Sequence, residues 1–158
     1  FNPVGAHESS LIGESPLIRP TNLFPIIMKV AKGEYSYLSI FGNDWPTKDG
    51  TCIRDYIHVM DLAEAHSKAL EYLMKNEPKI ISLNIGTGSG TSVLEIVNKF
   101  IDVNKVEVPY KIKKRRDGDA DSVVADNSLA LKILNWKPKR NVQDMCIDSW
   151  KWINSEMF

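Results

Sequence analysis

The residues best suited to chemistry are cations in places where cations are rare. Arg54 stands in CIRDYIHV, with Cys52 and Ile53 before it and Tyr56, Ile57, Val59 and Met60 after it. A guanidinium in apolar surroundings is costly unless an anion answers it. The neighbouring Asp55 is one candidate partner, and a ligand outside the chain is the other. A second set, Lys111, Lys113, Lys114, Arg115 and Arg116, leads into RRDGD, where Asp117, Gly118 and Asp119 follow the arginines. A charge run of this kind is usually a solvated loop. Paired arginines beside backbone N–H groups also suit a phosphate, and an acid a few residues on suits ribose hydroxyls. Arg54 and an arginine of the second set could clamp one diphosphate between them.

The glycine loop GTGSG, 86–90, follows an apolar run and precedes a capped helix. Strand, glycines and helix in that order resemble a dinucleotide fingerprint, with Glu107 near the position of the ribose-binding acid. The spacing is G-x-G-x-G rather than G-x-G-x-x-G, and Glu107 falls inside a strand pattern. A strand-to-helix turn needing permissive backbone is the better reading. His7, His58 and His66 have no metal-ligand spacing, and no Ser/His/Asp or Cys/His set stands out. The residues therefore nominate neither a metal site nor a catalytic nucleophile.

The positioning elements follow from periodicity and caps. A helix is expected over 19–33, capped by Thr21 or Asn22 and ended by Gly33. YSYLSIFG, 35–42, alternates as a strand, 43–51 is turn chemistry, and 52–59 is a short strand or extended segment. Asp61 with Glu64 predicts a capping box for a helix whose apolar face is Leu62, Ala65, Ala69, Leu70 and Leu73. KIISLNI, 79–85, reads as a strand. Ser92 with Glu95 caps a helix that turns Val93, Ile96, Val97, Phe100 and Ile101 inward. A strand over 105–112 is broken by Pro109 and so belongs at an edge. A short helix after Asp126 and a last one from Asn141 through Ile153 complete the chain, with Trp136, Trp150 and Trp152 packing these helices. The irregular alternation indicates mixed α/β with small sheets.

The 158 residues suffice for one domain with a core. Lys plus Arg number 20 and Asp plus Glu 20, so the basic excess typical of nucleic-acid or membrane-surface proteins is missing. The cysteines, Cys52 and Cys146, lie far apart, which favours a reducing compartment over a disulfide framework. No apolar run approaches the length of a membrane span. The opening FNPVGAH has no initiator Met and reads as the end of a strand, so a piece of a longer protein is expected.

FNPVGAH, NLFPII, LSIFGNDWPTKDGTCIRDYIHVMDLAEAH, LNIGTGSGTSVLEIV, RRDGDADSVVAD and ILNWKP occur in that order. Together they resemble the carboxyl-terminal half of the UDP-glucose 4-epimerase family, extended short-chain dehydrogenases/reductases. The resemblance covers essentially the whole chain and is most specific over 41–63. It implies a single domain, 1–158, of mixed α/β structure with small sheets and about five helices. It also implies elements that complete a Rossmann sheet lying outside this chain. In the family that amino-terminal domain holds NAD and carries Y-x-x-x-K, and the whole enzyme interconverts UDP-glucose and UDP-galactose through a 4-keto intermediate. The resemblance places the catalytic tyrosine and lysine and the glycine fingerprint in that amino-terminal half, so it implies no catalytic residue in this chain and an inactive fragment.

What the resemblance assigns to the chain is the grip on a UDP-sugar. Phe1 matches the residue approaching the nicotinamide, and Asn2 one approaching the substrate. Asn22 and Leu23 match the helix start facing uracil. Ser39, Ile40 and Phe41 match the strand lining the same pocket. Arg54 and Arg116 match the diphosphate arginines and Asp119 the ribose contact, while Tyr56 and Val93 line the cleft. Val123 stands where members restricted to plain hexoses place a tyrosine and members accepting N-acetylated sugars a small residue. A strand residue packing inward is the alternative for Val123. A cytoplasmic homodimer is implied for the whole enzyme, without nucleic-acid or membrane partners, and self-association for the fragment. A dehydratase-like relative and a non-catalytic UDP-sugar-binding module remain the other readings.

Overall fold

The computed structural model describes residues 1–77 and 79–156. The first element is the short strand β1 (Asn2–Val4), followed after a long loop by helix α1 (Leu23–Ala31). This helix is shorter than the sequence predicts, because residues 19–22 precede it as non-helical chain and Asn22 is its N-cap. Strand β2 (Leu38–Phe41) keeps only the second half of the expected 35–42 strand. It pairs in parallel with β6 (Tyr110–Lys113), which begins after Pro109, where the missing N–H ends the ladder.

The expected 52–59 segment divides. Ile53–Arg54 form β3 and Tyr56–His58 form β4, in two different sheets. β3 lies between β5 (Thr91–Ser92), antiparallel, and β7 (Ser122–Val123), parallel. β4 instead pairs in parallel with β1, Asn2 opposite Tyr56 and Val4 opposite His58. The switch between sheets occurs at Asp55.

Three further helices complete the pattern around α2 (Val59–Lys75): α3 (Val93–Asn104), α4 (Ser128–Leu134) and α5 (Val142–Ile153). The Ser92/Glu95 capping box of α3 forms as expected, and Asn141 with Asp144 builds another on α5. The cap of α2 is a correction. His58, not Asp61, is the N-cap, its Nδ1 accepting from the Met60 N–H at 3.1 Å. Asp61 is fully buried and accepts from the Lys139 and Arg140 N–H groups and from Arg140 Nη1, the last at 2.6 Å. Glu64 joins it, taking Lys139 and Arg140. The acids thus tie α2 to the segment before α5 instead of closing a box.

The main core packs Phe24 and Ile27 of α1, Leu38 and Ile40 of β2, and Ile96 and Phe100 of α3. Met145 and Ile153 of α5 close it, and Phe100 meets Trp150 edge-on at 5.8 Å. A smaller cluster gathers Ile57, Ala65, Leu134 and Trp136. Trp152 serves a third place, donating from Nε1 to the Glu14 carbonyl and so strapping the first loop to α5.

Two expectations fail together along one side. Leu70 and Leu73, predicted inward, are exposed, as are Met74 and Ile80. Residues 79–85 form no strand, because no described strand lies alongside to supply a ladder.

His58 gives the fold a pH dependence. Burial, its largest influence, holds its pKa below the ordinary value, against the opposing pull of Asp148, which Nε2 meets at 3.3 Å. The folded protein therefore binds His58's proton less readily than the unfolded chain. Stability from this group is complete above the unfolded pKa near about 6.5 and falls as pH drops toward the lower folded value. Thermal denaturation from about pH 7 to about pH 5 should show a falling Tm. His58→Asn, which keeps a capping acceptor but cannot titrate, should flatten that slope; an equal slope in both would place the effect elsewhere.

Candidate functional site

A cleft of about 1000 Å³ opens between the start of α1, the β2 strand and the β3–β4 segment. Every site residue expected from the sequence lines it except Asp119 and Val123. Phe1 and Asn2 enter from β1, and the Asn2 amide Nδ2 donates to the Asp55 carbonyl at 2.8 Å. Asn22 and Leu23 come from the start of α1. As N-cap, Asn22 makes no side-chain capping bond, which leaves its amide for the cleft. Ser39, Ile40 and Phe41 present one flank through β2, and Val93 is the first residue of α3.

The cationic end is built from two segments, as the sequence suggests, but the arginines sort differently. Arg115 leaves the expected pair: it bonds Asp44 Oδ1 at 2.8 Å and lies 3.9 Å from the Trp45 ring centroid. Arg116 turns to the cleft, its guanidinium 4.8 Å from the Phe41 ring centroid. Arg54 and Arg116 converge on Asp119, at 3.6 and 2.9 Å. Arg54 Nη1 also donates to the carbonyls of Ile53 and Ala120. Two cations thus share one carboxylate, leaving an excess of positive charge at this end.

Asp55 is not Arg54's partner. Its carboxylate is fully buried and points the other way, into the glycine loop. Arg54's partner within the chain is Asp119, which sequence reasoning assigned to a ribose. Thr87 and Gly88 N–H groups, the ones a pyrophosphate would need, are taken by Asp55. The glycine loop therefore does not fit a dinucleotide.

Val123 pairs with Arg54 in the β3–β7 ladder and is 41 % exposed. Ladder partners project on the same face, so Val123 stands beside the guanidinium at the cleft's rim. Tyr56 is buried against Phe24, ring centroids 6.0 Å apart. Burial raises its phenol pKa well above the ordinary value, so the hydroxyl stays neutral.

Sequence reasoning missed the cleft's far wall, where His7, Ile12, Gly13 and Glu14 of the first loop contribute. The Trp152 strap that holds this loop has no local signal. It also missed Cys52, whose thiol burial keeps protonated, a small apolar patch in the cleft beside Arg54. Among the described residues no cluster of His, Cys, Asp and Glu could hold a metal ion, and no helix is long and apolar enough to cross a membrane.

Comparison with known proteins gives a consistent answer. The family model described as GDP-mannose 4,6 dehydratase matches residues 1–149. UDP-glucose 4-epimerase of Bacillus subtilis is 51% identical over 157 residues, 99% of this chain and 46% of that protein. The Dictyostelium discoideum UDP-glucose 4-epimerase is also 51% identical, over 96% of this chain and 44% of that protein. Among solved structures, UDP-glucose 4-epimerase from Stenotrophomonas maltophila, with bound NAD and formylated UDP-arabinopyranose, superposes with a TM-score of 0.92 at 52% identity. It is covered over 45% of its length, against 96% of this chain. The Bifidobacterium longum enzyme, in complex with NAD+ and UDP, gives 0.92 at 43% identity, over all of this chain and 47% of that one. The chain spans less than half the length of these relatives.

Proposed function

The chain belongs to the family described as GDP-mannose 4,6 dehydratase, within the extended short-chain dehydrogenases/reductases, and from that premise we propose that it is the UDP-sugar-gripping, carboxyl-terminal part of a UDP-glucose 4-epimerase. The single observation that carries this reading is the cleft, whose lining brings Arg54 and Arg116 together with Phe1 and Asn2. An apolar flank from β2 and α1 suits a uracil, the two arginines suit a diphosphate, and the Phe1–Asn2 part is where the sugar would reach the rest of the enzyme. The dehydratase name of the family model is outweighed by relatives at 51% identity that are epimerases.

On this reading residues 1–158 form one UDP-sugar-binding domain, and NAD belongs mainly to an amino-terminal Rossmann domain. When bound, NAD supplies the hydride chemistry. This chain's residues orient the substrate toward it, and Phe1 is the residue offered on the cofactor's side. Binding energy collected on the remote UDP would hold the sugar in place without itself stabilising the transition state. The experiment is to express this chain joined to an amino-terminal half bearing the glycine fingerprint and Y-x-x-x-K. UDP-galactose should convert to UDP-glucose in the joined protein and not with the 158-residue chain alone. A 4-keto-6-deoxy product would instead make the parent a dehydratase.

The sugar choice is assigned to Val123. UDP-N-acetylglucosamine should be epimerised by the joined enzyme, and Val123→Tyr should lower that activity by about tenfold to a hundredfold while sparing UDP-glucose. Equal loss on both sugars, or none, would make Val123 a packing residue.

The exposed side chains Leu70, Leu73, Met74 and Ile80 support self-association of the isolated chain. Light scattering should show mass above the monomer that rises with concentration, and a constant monomer mass would reject this. A homodimeric whole enzyme follows from the resemblance. A cytoplasmic setting is supported by two cysteines that are both buried and free.

A further inference from the structure

The glycine loop looks like an anion site, and the structure holds an anion in it: Asp55 of the chain itself. Oδ1 of Asp55 accepts from the Thr87 N–H at 2.8 Å and the Thr87 hydroxyl at 2.6 Å. Oδ2 accepts from the Gly88 N–H at 2.9 Å and the Ala125 N–H at 3.2 Å. The approach needs glycine. A Cβ on Gly86 would stand 2.7 Å from Asp55 Oδ2 and 2.6 Å from the Ala125 Cβ. The backbone of Asp55 is equally engaged, its N–H donating to the Val123 carbonyl at 3.1 Å and its carbonyl accepting from the Asn2 N–H at 3.1 Å.

These contacts converge where the chain passes from the β3 sheet to the β4 sheet. On one side lie Arg54 and Val123, at the cationic end of the cleft. On the other lie β1 and Asn2, which also lines the cleft. Side chains of successive residues in an extended segment point to opposite faces, so the Asp55 carboxylate and the Arg54 guanidinium diverge. Here four donors hold the carboxylate turned away, and Arg54 is left facing Asp119 and the cleft.

We propose that Asp55, seated in the glycine loop, is a positioning residue that fixes Arg54 for a nucleoside diphosphate and holds Arg54 and Asn2 at a set separation. This rests on the UDP-sugar reading of the cleft. An asparagine has the same shape, but its amide nitrogen meets two N–H donors where an oxygen should be, so that half of the cradle fails.

The test is calorimetric titration of UDP into the 158-residue chain. Asp55→Asn should weaken UDP binding by about tenfold, and Thr87→Val, which removes one hydroxyl donor, by less. Because the effect acts through Arg54, Asp55→Asn should add nothing to the loss already caused by Arg54→Ala, which a general structural defect would not respect. Unchanged affinity in Asp55→Asn, or the same loss repeated in the Arg54→Ala background, overturns the proposal. If Asp55→Asn does not fold, Thr87→Val carries the same comparison, and unchanged affinity there overturns it equally. A wild-type chain that binds no UDP removes the reading beneath the proposal; a wild-type chain that binds while the variants bind as well removes the proposal alone.

Discussion

Arg54→Ala should weaken UDP binding by about tenfold to a hundredfold, and Arg116→Ala should do the same or somewhat less. Both guanidinium groups face the cleft, and they differ in how firmly they are held. The Arg54 side chain is 17% exposed and pinned by two carbonyls, whereas that of Arg116 is 53% exposed and rests on Phe41. A pre-placed cation loses less freedom on binding than a mobile one, so Arg54 is expected to matter more. The contact is to phosphate, so UDP and UDP-glucose should suffer alike. Removing either arginine also frees Asp119, whose carboxylate would then face the phosphates with one cation fewer. Calorimetry on both variants checks this. Unchanged affinity in both would mean that the arginines only close an internal ion cluster with Asp119.

Phe100→Ala should produce the largest loss of stability among single core changes, about 3–5 kcal/mol. The ring is fully buried between α3 and α5 and meets Trp150 edge-on, so its removal leaves a cavity and ends an aromatic contact. α3 also delivers Val93 to the cleft, which links this packing to the site. Native stabilities are only about 5–15 kcal/mol, so this is a large fraction of the whole. At about 2–4 °C per kcal/mol for a chain of this size, Tm should fall by about 6–20 °C in differential scanning calorimetry. A fall under about 2 °C would show that the site collapses around the smaller side chain.

The helices with strong local signals were legible. The Ser92/Glu95 box, the apolar face of Ile96, Val97 and Phe100, and the start of the last helix near Asn141 are encoded within short stretches of the chain. The α2 cap was misread because Asp61 fits a local rule, yet Arg140 and the Lys139 and Arg140 amides, brought by the fold, claim it. The 79–85 segment has strand composition, but a ladder belongs to two strands, and no described strand lies beside it. The site shows the same division. Arg54 is conspicuous in sequence because its neighbours are apolar. That Arg115 turns to Asp44 while Arg116 turns to the cleft depends on the loop at 43–51, which no spacing rule reports. Asp55 was the natural candidate to neutralise Arg54, and only the folded glycine loop shows where its carboxylate points.

The central claim is that this chain by itself grips the UDP part of a UDP-sugar through an arginine-ended cleft. Its most direct test is titration of the 158-residue chain with UDP and, separately, with uridine. Both ligands offer the base and ribose, and only UDP offers the diphosphate. UDP should bind measurably and at least about tenfold more tightly than uridine, with a preference that shrinks as salt rises. No binding of UDP, or equal binding of UDP and uridine at low salt, would contradict the account.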